Sequence, residues 1–176
     1  MSAAPSAITA AGAAPRRRLK SRARKTILSI HVSASVALVG ATASVLVLAL
    51  RAGAADRGAD AHALYTAIET LAFALAIPFS MISLATGITL GLGTHWGVLR
   101  HRWVAAKLGL QIAIILTGAL AVGPLTASLA DAAAAPGALE LGAARWQMPL
   151  AGALNLGFAL TAVGLSVFKP KGRLRG

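Results

Sequence analysis

Few side chains in this chain could do chemistry, and those few are set inside apolar runs. His31, Glu69, Lys107, Gln111 and Asn155 each interrupt a stretch dominated by Ala, Leu, Val, Ile and Gly. An imidazole titrates near neutral pH and can ligate a metal. An ionisable group in hydrocarbon is costly, so each one marks a candidate site. His31 is followed one turn later by Ser35, on the same helical face. Its ring is too short to reach water from within a membrane, whereas Lys107 can thread its ammonium back to the surface. Glu69 can pair near the opposite surface, with Arg145 as a candidate partner. Gln111 and Asn155 suit hydrogen bonds between helices. Joined together, His31, Gln111, Asn155 and Glu69 would make a polar file for a proton or a small solute.

Other chemistries are excluded or unsupported. The chain has 0 Cys, which removes disulfides, thiolate metal sites and a thiol nucleophile. No nucleophile stands beside a base, and no phosphate loop or metal-spaced cluster occurs. No catalytic residue and no metal ligand set are therefore assigned, and an enzyme is not expected. Copper(I) prefers Cys and Met ligands, yet Met81 and Met148 stand alone.

The elements that must position these residues follow from composition. Of the 176 residues, 57% are hydrophobic and only 12% charged. That is about half the charged share of a soluble domain, so the apolar excess must face lipid. Four apolar runs, 26–50, 63–90, 103–129 and 146–168, are each long enough to span about 30 Å of hydrocarbon. The first is 25 residues, too long for the ~7–15 of a signal-peptide core, so it reads as a retained helix. Residues 1–25 form an Ala/Ser/Pro-rich, then basic, tail in which disorder is expected. Residues 169–176 form a basic C-terminal tail. Pro78 and Pro124 are expected to bend the second and third helices. The spacings Gly40/Ser44, Ser83/Gly87/Gly91 and Gly157/Gly164 are expected to let backbones approach closely.

Charge orients the bundle. The N-terminal tail holds 7 Lys/Arg, the central connector with Lys107 holds 3 and the C-terminal tail 4, with no acid among them. The other two loops hold 3 basic residues and the acids Asp56, Asp60, Asp131 and Glu140. Basic segments stay on the cytoplasmic side. The sequence thus predicts an all-α, polytopic, antiparallel bundle of four transmembrane helices in the cell membrane, with both termini cytoplasmic. The basic residues sit at the ends of apolar runs rather than on one groove-facing surface, so the net charge of +12 points to anionic lipid headgroups and not to nucleic acid. In this frame His31 lies ~7–8 Å and Lys107 about 6 Å below the inner boundary, and Glu69 about 9 Å below the outer one. The reading that follows is a small membrane protein acting through self-association or a membrane partner.

Several motifs invite comparison. His31-Val32 with Gly40, Tyr65 with Glu69, Ser83-Leu84-Ala85-Thr86-Gly87 and Leu92-Gly93-Thr94-His95-Trp96-Gly97, followed by Arg100-His101, Trp103 and Lys107, run through residues 27–120. This pattern resembles actinobacterial four-helix integral membrane proteins of uncharacterised function. More distantly, the first-helix His with Gly nine positions on, and Trp and Lys opening the third helix, look like the copper-resistance protein D and membrane protoporphyrinogen oxidase superfamily. That resemblance implies a haem b or porphyrin ligand held by His31, with Lys107 near a propionate and His101 as a further contact.

Overall fold

In a computed structural model the described residues are 19–93, 101–135 and 142–169. The motif residues His95, Trp96, Gly97 and Arg100, the acid Glu140, residues 1–18 and residues 170–176 lie outside them. The described part is all-helical. We label the helices α1 (Ser21–Gly53), α2 (Gly58–Gly93), α3 (Arg102–Ala134) and α4 (Gln147–Phe168), the last entered through a 3-10 turn at Gly142–Trp146. Each of the four is long and apolar enough to cross a membrane.

The helices run further than the apolar windows. α1 begins at Ser21 rather than 26, so part of the expected tail is helical, and α3 continues to Ala134. The extension of α3 at 130–134 is Ala-rich, and that of α1 at 21–25 holds Arg, Ala and Lys; all three are good helix formers whether or not lipid surrounds them. At 1.5 Å per residue α2 is about 54 Å long, so its outer turns overhang a hydrocarbon layer of about 30 Å.

Neither proline breaks its helix. Pro78 follows a π-helical turn at Ala72–Ala76, and Pro124 follows another at Gly118–Val122. A proline lacks an amide hydrogen, and its ring collides with the carbonyl four residues earlier. The wider turn makes room: the Ile77 N–H reaches back to the Ala72 carbonyl and the Gly123 N–H to the Gly118 carbonyl. Each helix continues past its proline by way of this wider turn.

The four helices form a ring in chain order. α1 packs on α2 and α4; α3 packs on α4 in its first half and on α2 in its second. One end is a dry core of Val45, Ala49, Tyr65, Ile68, Leu129, Met148 and Ala151 with their neighbours. A smaller cluster of Leu38, Ile114 and Ala159 lies further in. Beyond it, toward Ser21 and Gly93, the helix interfaces turn polar. The outside is apolar: at most 33% of the most hydrophobic window of any helix is buried, so most of that surface faces outward.

Hydroxyl groups cost little in such helices, because they donate to the carbonyl one turn back. Thr42 does so to Leu38, Thr126 to Val122 and Thr161 to Gly157. Glycines within the helices include both close approaches and open positions. A Cβ on Gly87 would meet the His31 ring, and one on Gly152 would meet Leu46, so these two do permit tight packing. Gly40, Gly109, Gly118, Gly157 and Gly164 would meet nothing within 4 Å. Small residues there are not used by contacts inside the bundle.

Candidate functional site

The polar end of the bundle is built around His31. Its position on α1 faces α2, where Ser80, Ser83, Thr86 and Gly87 succeed one another at helical spacing. His31 Nδ1 lies 3.0 Å from the Ser83 carbonyl oxygen and 3.0 Å from Thr86 Oγ1. A carbonyl only accepts, so in the neutral ring Nδ1 carries the proton. The Thr86 hydroxyl spends its own hydrogen on the Ile82 carbonyl at 2.6 Å, leaving its oxygen to accept as well. That tautomer leaves Nε2 as a bare lone pair, and it makes no hydrogen bond among the described residues. Ser35 donates to the His31 carbonyl at 2.8 Å and its oxygen lies 3.1 Å from Ser83 Oγ, closing a small network between α1 and α2.

The next interfaces repeat the device. Gln111 on α3 donates to Ser80 Oγ at 2.8 Å and to the Ser80 carbonyl at 3.3 Å. Lys107, one turn earlier, donates to Ser166 Oγ on α4 at 2.5 Å. The Lys107 ammonium is within electrostatic reach of His31. Thus α1–α2, α2–α3 and α3–α4 are each joined by a polar bond in one layer. Lys107 thus reaches the last turn of α4, two residues from its end at Phe168.

The remaining candidates are not brought into this layer. Asn155 is buried on α4, but its Oδ1 accepts no hydrogen bond. Glu69 lies on the exposed side of α2 with Thr66 and Thr70, and forms no ion pair with Arg145. His101 stands at the start of α3, where its carbonyl accepts from Val104 and Ala105 at 3.1 Å. No hydrogen-bonded file connects His31, Gln111, Asn155 and Glu69, because Gln111 turns to Ser80 and the dry core occupies the bundle between its two ends. Sequence reasoning missed Ser80, Ser83 and Thr86 as the partners of His31 and Gln111. Their i, i+3, i+6 spacing on one face of α2 was the available signal.

The residues present fit one half of a haem site. A metal-ligating histidine characteristically gives its other N–H to a carbonyl, which fixes the tautomer and strengthens the ligand. His31 has that arrangement, and Gly87 keeps the flank of the ring clear. Among the described residues no three His, Asp or Glu side chains converge on a metal position. No protein-family model, no curated protein and no solved structure matches the chain.

Proposed function

We propose that this chain is a non-enzymatic integral membrane protein of the cell membrane. It crosses four times with both termini in the cytoplasm, and it acts through self-association or a membrane partner. The observation that carries this reading is Glu69. A carboxylate on an outward face, about 9 Å below the outer boundary, is costly unless another polar group reaches it. Outward-facing Gly40 and Ser44 on α1 and Gly157 and Thr161 on α4 add faces suited to close helix contact. The absence of cysteine offers a clean test. Single-cysteine variants Ser44→Cys and Thr66→Cys are oxidised in native membranes. A cross-linked dimer, or a cross-link to one discrete partner, weakened by Glu69→Gln, is expected. Uncross-linked monomer from both variants, with single-step photobleaching of a labelled chain, refutes it. For topology, a reporter after Gly58 is expected to be active only outside and one after Gly176 only inside.

A second reading is favoured by the His31 ring: a b-type haem or porphyrin bound through Nε2 on the cytoplasmic side, with Lys107 near a propionate. When bound, haem would supply redox or gas-binding chemistry. His31 would hold it through Nε2 and the Ser83 carbonyl would hold the ring's orientation. A Soret band in detergent-purified protein that is lost in His31→Ala is the expected sign. Colourless protein after haem supplementation counts against it.

A further inference from the structure

Two polar atoms stand unsatisfied at the dry end of the bundle, far along the chain from His31. Tyr65 has no exposed surface, and its hydroxyl makes no hydrogen bond. The Arg145 Nε is also buried and donates none. They belong to one place. Tyr65 packs in the apolar cluster with Ala52, Ala61 and Met148, and Ala144, the residue before Arg145, packs against that cluster. Gly53 admits the turn that carries Arg145: a Cβ there would meet the Arg145 carbonyl oxygen at 3.3 Å and the Trp146 ring at 3.7 Å. The guanidinium carbon lies 5.6 Å from the centroid of the Trp146 ring. Among the described residues the one ion pair is Arg57–Asp60, so Arg145 has no carboxylate there.

Buried donors in folded proteins have acceptors. A neutral oxygen would suffice for the tyrosine, and a charged one suits the guanidinium better. A phosphate offers several charged oxygens and matches the planar fork of arginine. Trp146 is 49% exposed beside it, as aromatic side chains are at a membrane–water boundary. Leu50, Leu150 and Leu154 are exposed on the neighbouring faces of α1 and α4, where acyl chains would run.

We propose that Tyr65 and Arg145 form an oxyanion site for the phosphate of a lipid headgroup at the outer boundary of the bundle. The proposal rests on the four-pass reading above. The 3-10 turn Gly142–Trp146 carries Arg145 into the site.

The test is native mass spectrometry of delipidated full-length protein titrated with phosphatidylglycerol, with phosphate-free diacylglycerol, or with inorganic phosphate. Wild type is expected to hold one phosphatidylglycerol at least tenfold more tightly than Tyr65→Phe or Arg145→Gln, and to discriminate against diacylglycerol. In lipid-free micelles Tyr65→Phe should unfold no earlier than wild type, because the lost oxygen had no partner; added phosphatidylglycerol should then stabilise wild type more. Equal retention by wild type and Tyr65→Phe overturns the site, as does equal binding of diacylglycerol. Inorganic phosphate stabilising as well as the lipid overturns the lipid assignment. If Arg145→Gln fails to fold, Tyr65→Phe alone decides. Failure of the four-pass reading has its own sign, an active cytoplasmic reporter at Gly58.

Discussion

Gly87→Ala tests whether the His31 network holds α1 to α2. The new Cβ would stand 3.1 Å from His31 Cε1. Ordinary carbon contacts need about 3.5 Å or more, so the ring must retreat by several tenths of an ångström. It is pinned on that side by two contacts of 3.0 Å, to the Ser83 carbonyl and to Thr86 Oγ1. The same retreat stretches both toward the limit of useful hydrogen bonding. Hydrogen bonds between membrane helices average about 0.6 kcal/mol, with a maximum near 1.7, so their loss costs roughly 1–2 kcal/mol. Alanine returns about 0.5–1 kcal/mol through its better helix propensity. The net expectation is a destabilisation of roughly 0.5–1 kcal/mol in wild type, read by reversible unfolding in mixed micelles. In a His31→Ala background the obstacle is gone and Gly87→Ala should stabilise by about 0.5–1 kcal/mol. The change of sign is the signature of direct coupling. An equal destabilisation in both backgrounds would show that Gly87 acts through something other than the imidazole.

Gln111→Leu removes both bonds to Ser80, and the buried Ser80 loses its partner on α3. Unfolding in mixed micelles should show a loss of roughly 1 kcal/mol, and Ser80→Ala added to it should cost little more. Gly93→Ala places a Cβ against the Leu19 side chain, while the Leu19 N–H bonds the Gly93 carbonyl at 3.1 Å. Limited proteolysis should then cut ahead of α1 faster than in wild type, with no change in the helix content read by circular dichroism. The hydrogen bond from Arg57 to the Asp60 carboxylate raises the guanidinium above its ordinary value. A raised basic group contributes at pH below its unfolded value and loses that contribution only as pH climbs through the folded one. For an arginine that lies in strong alkali. Asp60→Asn should therefore leave the unfolding midpoint unchanged at neutral pH, as for an exposed pair screened by water.

Much of the architecture was legible because lipid imposes a simple requirement on it. Four apolar runs separated by charge correspond to four helices, and the windows fell short where flanking residues of good helix propensity extend them. His31 and Gln111 were also legible as interior groups, since few ionisable or amide residues occur in the runs, whereas Lys107 was read as able to reach the surface. What they touch was not. The facing of Ser80 toward Gln111 and of Ser83 toward His31 depends on helix rotation, which a run of apolar residues does not encode. Glu69 illustrates the same gap. Its depth could be counted from the sequence, but its outward side could not, because both faces of α2 are apolar. Tyr65 and Arg145 lie 80 positions apart and carry no shared motif, and the packing of the turn against Gly53 has no signal in the sequence.

The bulges ahead of Pro78 and Pro124 have a further effect. Each slips one additional residue into its helix, and one residue corresponds to about 100° of rotation. The stretch of α2 bearing Tyr65 and Ile68 is thereby set in a different phase from the stretch bearing Ser80 and Ser83, and α3 divides in the same way. α1 and α4 run through without such a turn, so trimming one residue from either wide turn is expected to rotate one half of that helix against its unshifted neighbours.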